Sequence, residues 1–150
     1  MLIIGLGNPD RGDDAAGILV ACRLAEWGIE AIQHRGGTLD LIEIWGTADQ
    51  AVIVDAVSSG AAPGTLHIWE ARIAELRNNG LRSSTHAFDL ADAIELARVL
   101  DRLPKKLMIY GIEAAQFVVG TPPSSQVLAG VERAVEHISS LLRYSCSFQE

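Results

Sequence analysis

Short apolar runs closed by turn residues alternate along this chain with longer stretches in which apolar residues recur every three or four positions. That alternation predicts strands interleaved with helices. Met1 to Gly7 reads as a buried strand. A helix follows from about Asp14, since Ala16, Val20, Leu24 and Trp27 recur at helical spacing and Gly28 supplies a stop. Glu30 to Arg35 is a second strand; Gly36-Gly37-Thr38 then turns into a short helix over Leu39 to Trp45. Ala51 to Val57 is the most hydrophobic strand and is expected at the centre of the sheet. A Ser-, Gly- and Pro-rich loop, 58–64, leads to a strand from Thr65 to Trp69 that is expected to run antiparallel. Ser83 to Thr85 offer capping hydroxyls before a helix with Leu90, Ile94, Ala97 and Leu100 facing inward. Leu107 to Ile112 forms another strand. A last helix near Ser125 to Arg143 carries Val127, Val131, Val135, Ile138 and Leu142 on one face. The expected fold is a three-layer α/β/α sandwich around a mostly parallel five-stranded sheet.

Composition narrows the setting. The 150 residues are 49% hydrophobic with no low-complexity segment, which suits one domain, 1–150, with a real core. The apolar start has no basic residues before it and is too short for a signal segment, and no run approaches the roughly 20 apolar residues of a membrane span. A cytoplasmic location without membrane contact is therefore expected. Cys22 and Cys146 lack the spacing of a zinc knuckle or redox pair and read as free thiols. Twelve basic against nineteen acidic residues give a net charge of −7, which argues against nucleic acid as the ligand.

The chemistry concentrates at junctions between strands and helices. Asp14 in GLGNPDRGDDAAG, Asp55 in AVIVDAV and His86 in SSTHAF each follow a strand or precede a helix, and such junctions gather at one edge of a wound sheet. Two carboxylates and an imidazole can serve as metal ligands. A carboxylate closing an apolar strand, as Asp55 does, costs free energy unless it is paired or bound to a cation. Of the adjacent acids, Asp13 reads as a helix cap and Asp14 as the functional one. His34, His67 and His137 read as structural or surface residues.

Other chemistries fit poorly. GLGNP lacks the third glycine of a dinucleotide fingerprint, the second strand ends in His34-Arg35 rather than an acid, and neither a Walker lysine nor a GxSxG elbow is present. A hydroxyl from Ser83 or Ser84 lies too near His86 in sequence to use it as a base. Cys22, at an apolar mid-helix position, is expected to be shielded.

Together, Gly5-Leu6-Gly7-Asn8 with Asp13-Asp14 and Gly17, Asp55-Ala56 with Pro63-Gly64-Thr65, and His86 before a helix resemble the nickel-iron hydrogenase maturation proteases, over nearly the whole chain. The resemblance implies a phosphorylase/hydrolase-like α/β/α domain and an endopeptidase that trims the C-terminus of the hydrogenase large-subunit precursor. It implies that Asp14, Asp55 and His86 contact nickel already inserted in that substrate, so that nickel is carried by the substrate rather than held permanently. Asp14 and Asp55 are then the catalytic candidates, with water as the attacking group. Some members carry Glu where Asp14 stands, and Arg35 precedes the Gly36-Gly37 turn where the family often has an acid. Two alternatives stay open: an esterase resembling peptidyl-tRNA hydrolases, which share GLGNP, and a chaperone that binds the nickel-loaded subunit without cutting it.

Overall fold

A computed structural model gives the fold and describes residues 1–71 and 90–146. Its strands are β1 (Leu2–Leu6), β2 (Ile32–His34), β3 (Gln50–Val57), β4 (Leu66–Glu70) and β5 (Lys106–Glu113). Its helices are α1 (Ala16–Glu26), α2 (Leu41–Trp45), α3 (Leu90–Val99) and α4 (Ser125–Cys146). Short 3-10 turns, Gly12–Ala15 and Thr38–Asp40, lead into α1 and α2. The sheet order is β2-β1-β3-β5-β4, so β3 is central. All pairings are parallel except that of β4, which runs antiparallel to β5 at one edge. No helix among the described residues is long and apolar enough to cross a membrane.

The two-residue period of β3 divides the core. Ala51, Ile53 and Val57 face a cluster containing Leu41, Trp45, Leu90 and Ile94 from α2 and α3. Val52, Val54 and Ala56 face Val20 and Leu24 of α1 and Val127, Val131 and Val135 of α4. Each face of the sheet is thus covered by helices, the arrangement that near-continuous apolar strands require.

The helix over Leu90 to Val99 ends one residue before Leu100, the last position its apolar spacing places inward. Leu100, expected to face inward, is 52% exposed. Asp101 takes φ 56° and the Arg102 amide donates to the Ala97 carbonyl at 2.8 Å, so the chain reverses through a left-handed residue. Glycine usually marks that position, and aspartate here hid the stop.

Two glycines fix how α1 meets the sheet. A Cβ on Gly17 would collide with the carbonyl oxygens of Leu6 and Val54, and Gly7, at φ 141°, lies against the Asp14 carbonyl. Close approach here brings the start of α1 over the ends of β1 and β3.

Candidate active site

Strand order reverses direction between β1 and β3: the chain goes from β1 outward to β2, then returns to β3 and continues to the other side. In open α/β sheets the crevice outside the carboxyl ends of two such strands is the usual ligand site. Asp14 hangs over it from the turn after β1, and Asp55 stands near the end of β3.

Both are buried, Asp14 at 2% and Asp55 at 3% exposure. Asp55 Oδ1 accepts the Ala56 amide at 2.9 Å. Burial pushes the Asp55 carboxyl up to about 8; the negative charge of Asp14 adds to the rise, and the Ala56 hydrogen bond only partly opposes it. Near neutral pH the pair therefore holds a proton. Two neighbouring carboxylates that share a proton can take and return protons, or can give up that proton and close on a cation. His86, the third expected member, lies outside the described residues. Among the described residues no group of three His, Cys, Asp or Glu side chains comes together.

Asp13 departs from its expected role. It makes no cap bond to its own helix. Fully buried, it reaches instead into the segment between β5 and α4. Its Oδ2 accepts the amides of Ala115 and Gln116, at 2.7 and 3.1 Å, and the Ser124 hydroxyl at 3.0 Å; its Oδ1 accepts the Ser124 amide at 2.6 Å. Ser124 in turn caps α4, its carbonyl accepting the Leu128 amide at 3.0 Å. Asp13 thus ties the turn carrying Asp14 to the loop on the far side of β3.

Sequence reasoning passed over Glu113, a second carboxylate closing an apolar strand. It is 2% exposed and lies opposite Val57 in register. Oε1 accepts the amides of Ser59 and Gly60, at 2.8 and 3.0 Å; Oε2 accepts the Ser59 hydroxyl at 2.7 Å and faces His67 Nε2 at 3.1 Å. Burial would raise this carboxyl, but the hydrogen bonds from Ser59, His67 and Gly60 together outweigh it and lower it. The signal was available: Ile112-Glu113 repeats the pattern of Val54-Asp55. The bonds it makes hold the loop that leaves the Asp55 strand.

The remaining candidates have other partners. His67 also stacks on Trp69, with centroids 5.1 Å apart; His137 Nδ1 meets the Tyr110 hydroxyl at 2.8 Å, and His34 Nε2 lies 3.0 Å from the Gly37 carbonyl. Cys22, expected to be shielded, is half-buried and borders a shallow groove between α1 and α4.

With this geometry in view, likeness to known proteins becomes informative. Residues 35–141 match the family model described as hydrogenase maturation protease. The chain belongs to the hydrogenase maturation protease family. The matched stretch includes Asp55 and His86 and begins after Asp14. The hydrogenase maturating endopeptidase HybD of E. coli superposes with a TM-score of 0.78 at 28% identity, covering 96% of this chain and 92% of that one. The nickel-iron hydrogenase maturation protease HybD of Thermococcus kodakarensis gives 0.75 at 32% identity, covering 93% and 97%. The hydrogenase expression/formation protein HupM of Azotobacter chroococcum mcd 1 is 28% identical over 77% of this chain. The chain spans 58% of that relative's length.

Proposed function

We propose that this chain is the endopeptidase that removes the C-terminal extension of a nickel-loaded nickel-iron hydrogenase large-subunit precursor. Asp14, Asp55 and His86 contact the nickel already seated in that substrate. The observation that carries this reading is the buried aspartate pair at the strand-order reversal, in a chain of the hydrogenase maturation protease family. The Asp55 carboxylate, buried beside the charge of Asp14, is costly to bury for folding alone and gains when a cation arrives. Oxygen and imidazole donors suit divalent nickel, and three protein ligands leave coordination positions for the substrate's own groups.

The chemistry follows from the same pair. Nickel bound in the precursor places the scissile peptide against the aspartates. The oxygen of a water molecule forms a bond to the carbonyl carbon while Asp14 or Asp55 takes its proton. As the carbon–nitrogen bond breaks, that proton passes to the departing nitrogen, leaving a carboxylic acid on one fragment and an amine on the other.

Purified protein mixed with nickel-loaded precursor should shorten it on a gel. Asp14→Asn removes an anionic ligand and a base, and should slow processing at least about tenfold, the equivalent of roughly 1.4 kcal/mol in the barrier. Tight binding of the precursor without shortening would favour the non-cleaving chaperone instead.

A further inference from the structure

The loop between β5 and α4 displays two apolar side chains in water: Val118 is 55% exposed and Val119 is 74% exposed. Such exposure is unremarkable on a slack loop, but this loop is tightly held. Gln116 Oε1 accepts the Val118 amide at 2.7 Å and the Thr121 hydroxyl at 3.0 Å, and Thr121 donates its amide back to the Val118 carbonyl at 3.3 Å. Gly120, at φ 81°, supplies the positive φ that a tight turn of this kind needs. The two valines are thus presented on a fixed turn rather than left over from a loose one.

That turn is bound to the segment that carries Asp14. Gly120 donates to the Asp10 carbonyl at 2.7 Å, Gly12 to the Thr121 carbonyl at 3.1 Å, and Arg11 Nε to the Phe117 carbonyl at 3.1 Å, alongside the four bonds to Asp13. Asp10 and Asp14 are four residues apart, so at about 3.8 Å per residue the valines stand within roughly 20 Å of the aspartate pair. An extended peptide of about six residues bridges that distance.

We propose that Val118 and Val119 dock the substrate chain, taking an apolar segment of the large-subunit precursor that lies beside the bond cleaved at Asp14 and Asp55. This rests on the proposed function above and names a residue pair that determines its specificity. The aspartate pair recognises a cation and offers nothing to apolar side chains, so a second contact of opposite character on the same edge of the sheet supplies what it lacks. Two valines on one turn are far short of the roughly 800 Å² per partner of a stable protein interface. That suits a substrate already held at its metal better than a self-associating pair of chains.

Steady-state processing of nickel-loaded precursor by the wild type and by a Val118→Ser, Val119→Ser double variant tests this. Both sites are exposed, so the melting curve should be unchanged. KM should rise about tenfold, with kcat within about twofold, as expected when binding energy rather than chemistry is lost. An unchanged KM overturns the proposal. So does a wild-type dimer in sedimentation that the variant loses while KM stays fixed, because the valines then serve a second copy of the chain. Should the double variant melt early, Val119→Ser alone, at the more exposed position, is to be read the same way. If the wild type cuts no precursor at all, the proposed function fails by itself. Docking is then read from precursor binding, and equal affinity of wild type and variant overturns it.

Discussion

Asp55→Asn should make the free protein more stable at pH 8 and at the same time stop it processing precursor. The Asp55 carboxyl is raised from 3.8 to about 8 in the folded chain, by burial first and by the charge of Asp14 second. Between those values the folded state holds a proton that the unfolded state has released, so stability falls as pH rises from about 4 to about 8 and the full penalty applies above that. Asparagine carries no charge to bury, and its side-chain carbonyl still accepts the Ala56 amide. The gain at pH 8 should be on the order of a few kcal/mol, or at least about 4 °C in melting temperature for a chain of this size. Near pH 4 the two proteins should melt together. Processing should nevertheless fall by at least about tenfold, since the lost charge is the one a cation uses. Melting curves of both proteins from pH 4 to 9 check the first half and a gel of precursor cleavage the second. Curves that run parallel across the whole range would mean that Asp55 is not the strained group.

Asp13→Asn should act in the opposite direction and be felt mainly in folding. Among the described residues every hydrogen-bond partner of the Asp13 carboxylate is a donor: the amides of Ala115, Gln116 and Ser124 and the Ser124 hydroxyl. An asparagine must turn its own NH2 toward one of these groups, so at least one buried amide loses its acceptor and faces another donor. The expected cost is about 2–4 kcal/mol, read from the urea midpoint at constant slope. A residue that merely capped its own helix would lose less than about 1 kcal/mol on the same change. A loss that small would show that the loop bonds matter little.

The contrast between these neighbouring acids shows what the sequence could and could not convey. Strands were legible because a buried parallel strand must be a short unbroken apolar run, as Val52-Ile53-Val54 is. The antiparallel strand Leu66–Glu70 was legible too, because its alternation sets it apart from the unbroken apolar runs of the parallel strands. Asp14 and Asp55 were legible as a pair because strand ends in a wound sheet share one edge. Asp13 was misread because local rules supply only local partners, and its true partners lie more than 100 residues away. Glu113 was passed over for the same reason: its bonds reach back about 50 residues to Ser59 in the loop after β3 and to His67 on the neighbouring strand β4. Leu100 was placed inward because periodicity carries no mark of where a helix stops when aspartate, not glycine, takes the left-handed turn.

In the proposed function the aspartate pair responds to nickel within the substrate. The most direct test of that response is the rate at which purified protein shortens the same large-subunit precursor prepared with and without nickel. The loaded form should be cut at least about tenfold faster, because without a cation the buried pair gains nothing from the substrate. Equal rates for the two forms would contradict it.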